Sequence, residues 1–227
     1  EPARITLGED MAQIELKVPR ELRRGGKARD EQASVESGLQ LIQLMCRHFG
    51  IPDLGESSVL DMGCGCKLVQ AILDHDLAIG RYVGIDVFPD LIAFLQSNVP
   101  DSRFSFHVQD THNEMYNLRG EPLSATTRLP LEEESFDIIC LFSVFTHLAP
   151  HDYVAMLQML RRYVKPGGRI IFSLFVNETT AGGLGYIDDI NRLWTERPEK
   201  LEQFKEVFKQ GLENASPPDF IDYDRSQ

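Results

Sequence analysis

The sequence predicts an α/β fold, a mostly parallel sheet with helices on both faces. Two observations predict it. Five short apolar runs of strand character recur along the chain, with amphipathic helical patterns between most of them. One of these runs also leads straight into a glycine-rich turn and then a helix, Val59-Leu60-Asp61-Met62-Gly63-Cys64-Gly65. Strands that alternate with helices need crossover connections, and these make neighbouring strands parallel and cover both faces of the sheet.

The elements follow in order. Residues 1 to 30 are polar, are broken by Gly25-Gly26, and read as an arm outside the core. From Ala33 to Phe49 the apolar positions Val35, Leu39, Ile42, Met45 and Phe49 fall at helical spacing, and Gly50 and Pro52 stop the helix. The strand runs are Ser58 to Met62, Tyr82 to Asp86, Phe104 to Gln109, Phe136 to Phe142 and Arg169 to Val176. Between them, helices are expected over Lys67 to Leu73, Pro89 to Ser97 and Tyr153 to Val164, the last with Leu157, Leu160 and Val164 on one stripe. Pro89 suits a first helical turn. Lys165-Pro166-Gly167-Gly168 reads as a turn before the fifth strand. Beyond Asn177 the pattern holds one amphipathic helix, with Leu201, Phe204, Phe208 and Leu212, and only a weak strand candidate from Phe220 to Tyr223. The expected organisation is an arm over 1–32, one α/β domain over 33–176, and a helical C-terminal segment over 177–227.

Composition sets bounds on function. The chain has 227 residues, 42% hydrophobic and 26% charged, enough for one sizeable core. Its formal net charge of −12 repels phosphate backbones, so no nucleic-acid partner is expected. A local basic run from Arg20 to Arg29, with Arg23, Arg24 and Lys27, reads mainly as a solvated segment, with contact to an anionic or polyol substrate as the alternative. The four cysteines, Cys46, Cys64, Cys66 and Cys140, form no C-x-x-C pair. A reducing, cytoplasmic setting is the simpler expectation, and Cys64 and Cys66 serve as small residues in a tight turn. No apolar run approaches a membrane span, so no membrane partner is expected.

The candidate ligand residues sit where parallel strands end. Gly63 and Gly65 let a ligand approach the backbone closely, with Cys64 between them. Asp61, just before the glycines, would repel a pyrophosphate and suits an ammonium group, directly or through water. Asp86 ends the second strand, where an acid can accept both hydroxyls of a ribose; capping the next helix is the alternative. Val87 and Phe88 could then form an apolar wall for adenine. In Gln109-Asp110-Thr111, Asp110 could accept from the adenine amino group or serve as a turn acid, with Thr111 beside it. Phe142 and Ser143 would line the crevice from the end of the fourth strand.

These elements, in this order and spacing, resemble class I S-adenosylmethionine (SAM)-dependent methyltransferases over about residues 58 to 176. Asp61 to Gly65 is similar to that family's first motif and Asp86 to its ribose-binding acid. Leu129-Pro130-Leu131 through Ser135-Phe136-Asp137 resembles the segment before its fourth strand, and Val164 to Gly168 the turn before its fifth. The resemblance implies a Rossmann-like fold, SAM as cofactor, and contacts from Asp61, Gly63, Gly65, Asp86, Asp110 and Phe142. Two departures stand out. Lys67 replaces the usual third glycine of the first motif, and the family's closing antiparallel strand pair has no counterpart in this sequence. The second departure leads to the expectation that the chain is truncated at its C-terminus.

For the acceptor, the run after the fourth strand reads Leu141-Phe142-Ser143-Val144, without the Asn/Asp-Pro-Pro-aromatic run usual in enzymes that methylate DNA amino groups. A hydroxyl of a small molecule, such as a sugar or glycoside, fits better. His147 is the candidate general base, with a helix-start histidine bonded to backbone as the alternative. The stretch from Thr111 to Arg128 reads as an insertion, and its Tyr116, Asn117 and Arg119 are the candidate acceptor contacts; a plain surface loop is the alternative. This insertion and Phe142 to Leu148 bear a fainter resemblance to small bacterial sugar O-methyltransferases. Mg²⁺ is compatible with Asp110, Glu114 and His147, although no spacing demands a metal. The expected partner is a small-molecule acceptor, and a homodimer is allowed. The competing classes are a nicotinamide-dependent oxidoreductase, a non-catalytic SAM-binding protein and a protein methyltransferase.

Overall fold

The computed structural model describes residues 15–23, 30–112, 117–145, 148 and 150–174. Helix α1 spans Glu31–Phe49. Asp30 caps it by accepting from the Ala33 N–H at 3.2 Å, and Gly50 ends it in the left-handed region at φ 66°. Its buried face carries Ser34, Val35, Gly38, Ile42, Met45 and Cys46, while Leu39 and Phe49 pack at the margin. Strand β1 (Leu54–Met62) follows, then helix α2 (Lys67–Asp74), strand β2 (Ile79–Asp86) and helix α3 (Pro89–Asn98). Strand β3 (Phe104–Val108), strand β4 (Phe136–Leu141), helix α4 (Pro150–Leu160) and strand β5 (Val164–Phe172) complete the described elements.

The five strands form one sheet in the order β3-β2-β1-β4-β5, and every pairing is parallel. This is the expected Rossmann-like architecture. After β3 the chain crosses to the other side of β1, which makes the carboxyl ends of β1 and β4 the point where the winding reverses. Strand alternation divides the core in two. Val59, Tyr82, Phe104, Phe106 and Cys140 face α1, α2 and α3, whereas Leu60, Met62, Val83, Ile85 and Leu141 face Met156, Met159 and Leu160 of α4. Covering both faces is what allows the apolar runs of β1, β2 and β4.

The structure corrects three expectations. First, part of the arm belongs to the core: Leu16 and Val18 are buried, alternating with exposed Glu15 and Lys17. The Leu16 N–H donates to Asp74 at 3.1 Å, and its carbonyl accepts from Gln70 Nε2 at 3.0 Å. Ser34 donates to Gln70 Oε1 at 3.4 Å, so buried polar groups tie this segment to α1 and α2. Arg23, from the basic run, donates to the Val18 carbonyl at 2.8 Å and pairs with Glu31 at 3.7 Å. Second, α4 stops at Leu160 instead of running to Val164. The backbone at 161–163 is used elsewhere: the Tyr163 carbonyl accepts from Ser135 and Phe136, and the Tyr163 hydroxyl accepts from the Leu129 N–H at 2.7 Å. Third, the Lys165 to Gly168 turn lies inside β5 as an irregularity, where the register against β4 shifts between Phe136 and Ile138. The expected C-terminal helix and the question of a closing strand pair lie outside the described residues. No described helix is long and apolar enough to cross a membrane.

The third glycine that the first motif lacks has a counterpart on another helix. A Cβ at Gly38 of α1 would lie 2.1 Å from the carbonyl oxygen of Lys67, at the start of α2. Gly38 therefore sets the close approach of α1 to α2. Gly38→Ala is expected to destabilise the protein by about 1–3 kcal/mol through overpacking, despite alanine's better helix propensity. Urea denaturation of the two proteins measures this.

Candidate functional site

The site is built on the carboxyl ends of β1, β2, β3 and β4. After Met62 the chain turns sharply, and the Gly63 and Cys64 N–H groups both donate to the Ile85 carbonyl, at 2.7 and 2.9 Å. Gly63 and Gly65 have φ of 70° and 50°, a region that costs an L-residue about 1–2 kcal/mol. The two glycines face different surroundings. A Cβ at Gly63 would meet a methyl of Val144 at 2.6 Å, so the segment after β4 is packed against the turn. A Cβ at Gly65 would meet nothing within 4 Å, so open space lies over that part of the turn.

Asp86 ties this turn to the neighbouring strands. Its Oδ2 accepts from the Gly65 N–H at 2.9 Å, its Oδ1 from the Phe88 N–H at 3.1 Å, and its backbone carbonyl from the Gln109 N–H at 2.9 Å. The cap position of α3 is Phe88, so Asp86 makes a turn two residues upstream instead of capping the helix. Val87 and Phe88 are half-buried, and Phe88 packs against the core on the α1–α3 face.

Asp61 is 2% exposed and engaged from both neighbouring strands. The Tyr82 hydroxyl donates to its Oδ2 at 2.6 Å, and the Cys140 thiol to its Oδ1 at 3.5 Å. Burial pushes the Asp61 carboxyl up to about 7, against the pull of these two hydrogen bonds. The Cys64 and Cys66 thiols are buried too, and burial raises Cys66 to about 11 and Cys64 well above its ordinary range. The Cys64 sulfur lies 3.0 Å from where a Cβ of Gly84 would stand, beneath the turn. Cys64 can therefore reach a ligand in the crevice only through its backbone.

At the β3 end, Asp110 is exposed and its Oδ1 accepts from Asn117 at 2.9 Å. Asn117 also donates to the Thr111 carbonyl at 3.1 Å. A parallel bridge joins buried Thr111 to Glu121: the His112 N–H donates to the Glu121 carbonyl and the Glu121 N–H to the Asp110 carbonyl. Asn117 thus holds its own loop, and Arg119 is exposed nearby. At the β4 end, Phe142 is half-buried and Ser143 is exposed with φ at 60°. The Ser143 N–H donates to the Ser173 hydroxyl at 2.7 Å, and the Ser173 N–H to the Leu141 carbonyl at 3.1 Å.

Tyr116, Glu114 and His147 lie outside the described residues. Among the described residues, no group of three or more His, Cys, Asp and Glu could hold a metal ion. Reading the sequence missed three contributors. Tyr82 was findable from parity, because Asp61 pairs with Gly84 and Tyr82 stands two residues before it on the same face. Val144 and Ser173 carried no signal, since only folding brings them to the turn.

A family model described as "Methyltransferase domain" matches residues 60–172, the whole span from the end of β1 to the end of β5. The chain belongs to the class I SAM-dependent methyltransferases. Over 123 residues it is 28% identical to the tRNA N(3)-methylcytidine methyltransferase trm140 of Schizosaccharomyces pombe. The match covers 53% of this chain, and the chain spans only 37% of that protein's length. Among solved structures, a SAM-dependent methyltransferase from Mesorhizobium loti is 18% identical with a TM-score of 0.41, covering 57% of this chain and 51% of its own. The PH0226 protein from Pyrococcus horikoshii is 21% identical with a TM-score of 0.44, covering 63% and 57%.

The residues present fit the methyltransferase cofactor. The open space over Gly65, the left-handed glycines and the acid at the end of β2 make a cradle that a side chain at residue 65 would fill.

Two outcomes follow. Gly65→Ala is expected to cost about 1–2 kcal/mol in backbone strain while abolishing SAM binding, as checked by denaturation and calorimetric titration. Asp61 holds a proton in the folded state between its ordinary 3.8 and about 7, where the unfolded chain has released it. Its contribution to stability is therefore greatest at acid pH and falls as pH rises through that window. The stability of Asp61→Asn relative to wild type should rise with pH from about 4 to about 7, by at most about 1.4 kcal/mol per unit, in urea denaturation without SAM.

Proposed function

We propose that this methyltransferase transfers a methyl group from SAM to a hydroxyl of a small polyol, of the sugar or glycoside class. The observation that carries the reading is the turn after β4. Val144 packs against Gly63, and exposed Ser143 is held in the left-handed region beside Ser173. This places small hydroxyl side chains at the carboxyl edge of the sheet, where a base-methylating DNA enzyme would usually carry a proline-aromatic run. The net charge of −12 also favours an uncharged acceptor over a polyphosphate.

In this reading residues at the carboxyl ends of β1 and β2 would hold the cofactor. Gly63, Gly65 and the Cys64 backbone would receive its amino-acid end, together with Asp61. Asp86 would accept from the ribose hydroxyls, Val87 and Phe88 would flank the adenine, and Asp110 with Thr111 would hold its far edge. Phe142 and Ser143 border the methyl. SAM supplies an electrophilic methyl group on a sulfonium, and displacement there must be in line. The chain must align the acceptor and take its proton. His147 is proposed as that base, since an imidazole titrates near neutral pH. Asn117 anchors the loop that carries Arg119, and Tyr116 and Arg119 are proposed acceptor contacts from that loop.

The test is methyl transfer from labelled SAM to a panel of sugars and glycosides, phenols, basic peptides and transfer RNA, with and without Mg²⁺. Transfer to polyols, lowered about 100-fold or more by His147→Ala while SAM affinity is kept, is the expected result. Transfer confined to tRNA or to peptides would replace the hydroxyl acceptor while leaving the cofactor assignment intact.

A further inference from the structure

The Tyr82 ring is fully buried, 5.4 Å from the ring of Phe104 and 6.1 Å from that of Phe106, centroid to centroid. Phenylalanine would serve that packing equally well. The hydroxyl does something that phenylalanine could not. It donates to Asp61 Oδ2 at 2.6 Å, a short, charge-assisted hydrogen bond. Packing on all sides prevents this donor from swinging away.

Asp61 needs such a donor. Its partners among the described residues are uncharged: Tyr82 from β2 and Cys140 from β4. The charged group near enough to act on it is Asp86, at the end of β2, which has the same sign. The buried thiol of Cys64, in the turn, lies in the same cluster. No described Lys, Arg or His pairs with Asp61. A buried carboxylate without a cation is costly, and a ligand that brings a cation to the turn relieves that cost. The α-ammonium group of SAM is such a cation.

We propose that Tyr82 is a positioning residue for SAM, holding the Asp61 carboxylate in place to receive the cofactor's amino end. The inference rests on assigning the crevice to SAM. Its consequence is a pH dependence of known sign. Binding an ammonium requires the charged carboxylate, so SAM affinity rises with pH through about 7. It falls again as the α-amino group loses its proton near pH 8. Removing the Tyr82 donor moves the acid limb upward, because that hydrogen bond favours the charged form.

The experiment is calorimetric titration with SAM from about pH 5.5 to about 9 for wild type, Tyr82→Phe and Cys140→Ser. Tyr82→Phe should weaken binding at pH 7 about tenfold and shift the acid limb to higher pH. Cys140→Ser replaces a weak thiol donor with a stronger hydroxyl and should shift the limb to lower pH. A uniform loss of affinity with an unmoved limb would reduce Tyr82 to a packing residue and overturn the proposal. So would identical profiles in all three proteins. If Tyr82→Phe does not fold, 3-fluorotyrosine in place of tyrosine decides: its more acidic hydroxyl is a stronger donor to Asp61 and should shift the limb to lower pH, and an unmoved limb overturns the proposal. Absence of SAM binding at every pH by folded wild-type protein would instead overturn the cofactor assignment, and this inference with it.

Discussion

Two N–H groups, from Gly63 and Cys64, converge on the carbonyl of Ile85, and the rest of the site depends on that convergence. It bends the chain leaving β1 across the end of β2 instead of letting the strand run on. The bend requires left-handed backbone at Gly63 and Gly65, a conformation any other residue would adopt only under strain. Once it is made, the Gly65 N–H lies within reach of the Asp86 carboxylate, and Asp86 in turn holds the start of α3 and the end of β3. Three strand ends are thus locked by one turn and one acid. Backbone tied together in this way is the kind of support a bound nucleoside needs.

The second constraint is electrostatic. The sheet buries a carboxylate, Asp61, directly under the turn, and satisfies it with a phenol and a thiol instead of a cation. Such a group is poorly solvated, with its carboxyl pushed up to about 7, and so is responsive to a positive charge brought near it. Asp86 lies half-exposed in a net of backbone donors. The two acids thus differ in surroundings, Asp61 buried between a phenol and a thiol and Asp86 half-exposed among backbone N–H groups.

Packing supplies what the glycine motif lacks. The residue after Cys66 is Lys67 instead of glycine, yet α2 is approached closely because Gly38 of α1 leaves room for the Lys67 carbonyl. Val144, from the segment after β4, closes against Gly63, and Ser173, after β5, holds the Ser143 backbone. The carboxyl edge of the sheet around β1 and β4 is thus assembled from segments far apart in the chain. The loop from β3 is pinned by Asn117, whose amide joins Asp110 and Thr111.

Local chemistry in the sequence determined the strand and helix order, the parallel sheet, the position of the glycine turn and the acids at the ends of β1, β2 and β3. These are legible because hydrophobic period and glycine placement act over a few residues. The sequence alone did not decide where α4 stops, because Tyr163 is used by Leu129, Ser135 and Phe136 from other parts of the chain. Nor did it decide that Leu16 and Val18 enter the core, because a four-residue alternation carries little weight until Asp74 and Gln70 accept and donate to its backbone. The environment of Asp61 was likewise left to tertiary structure. The acid itself is written in the motif, but its charge depends on burial and on side chains that β2 and β4 bring beside it.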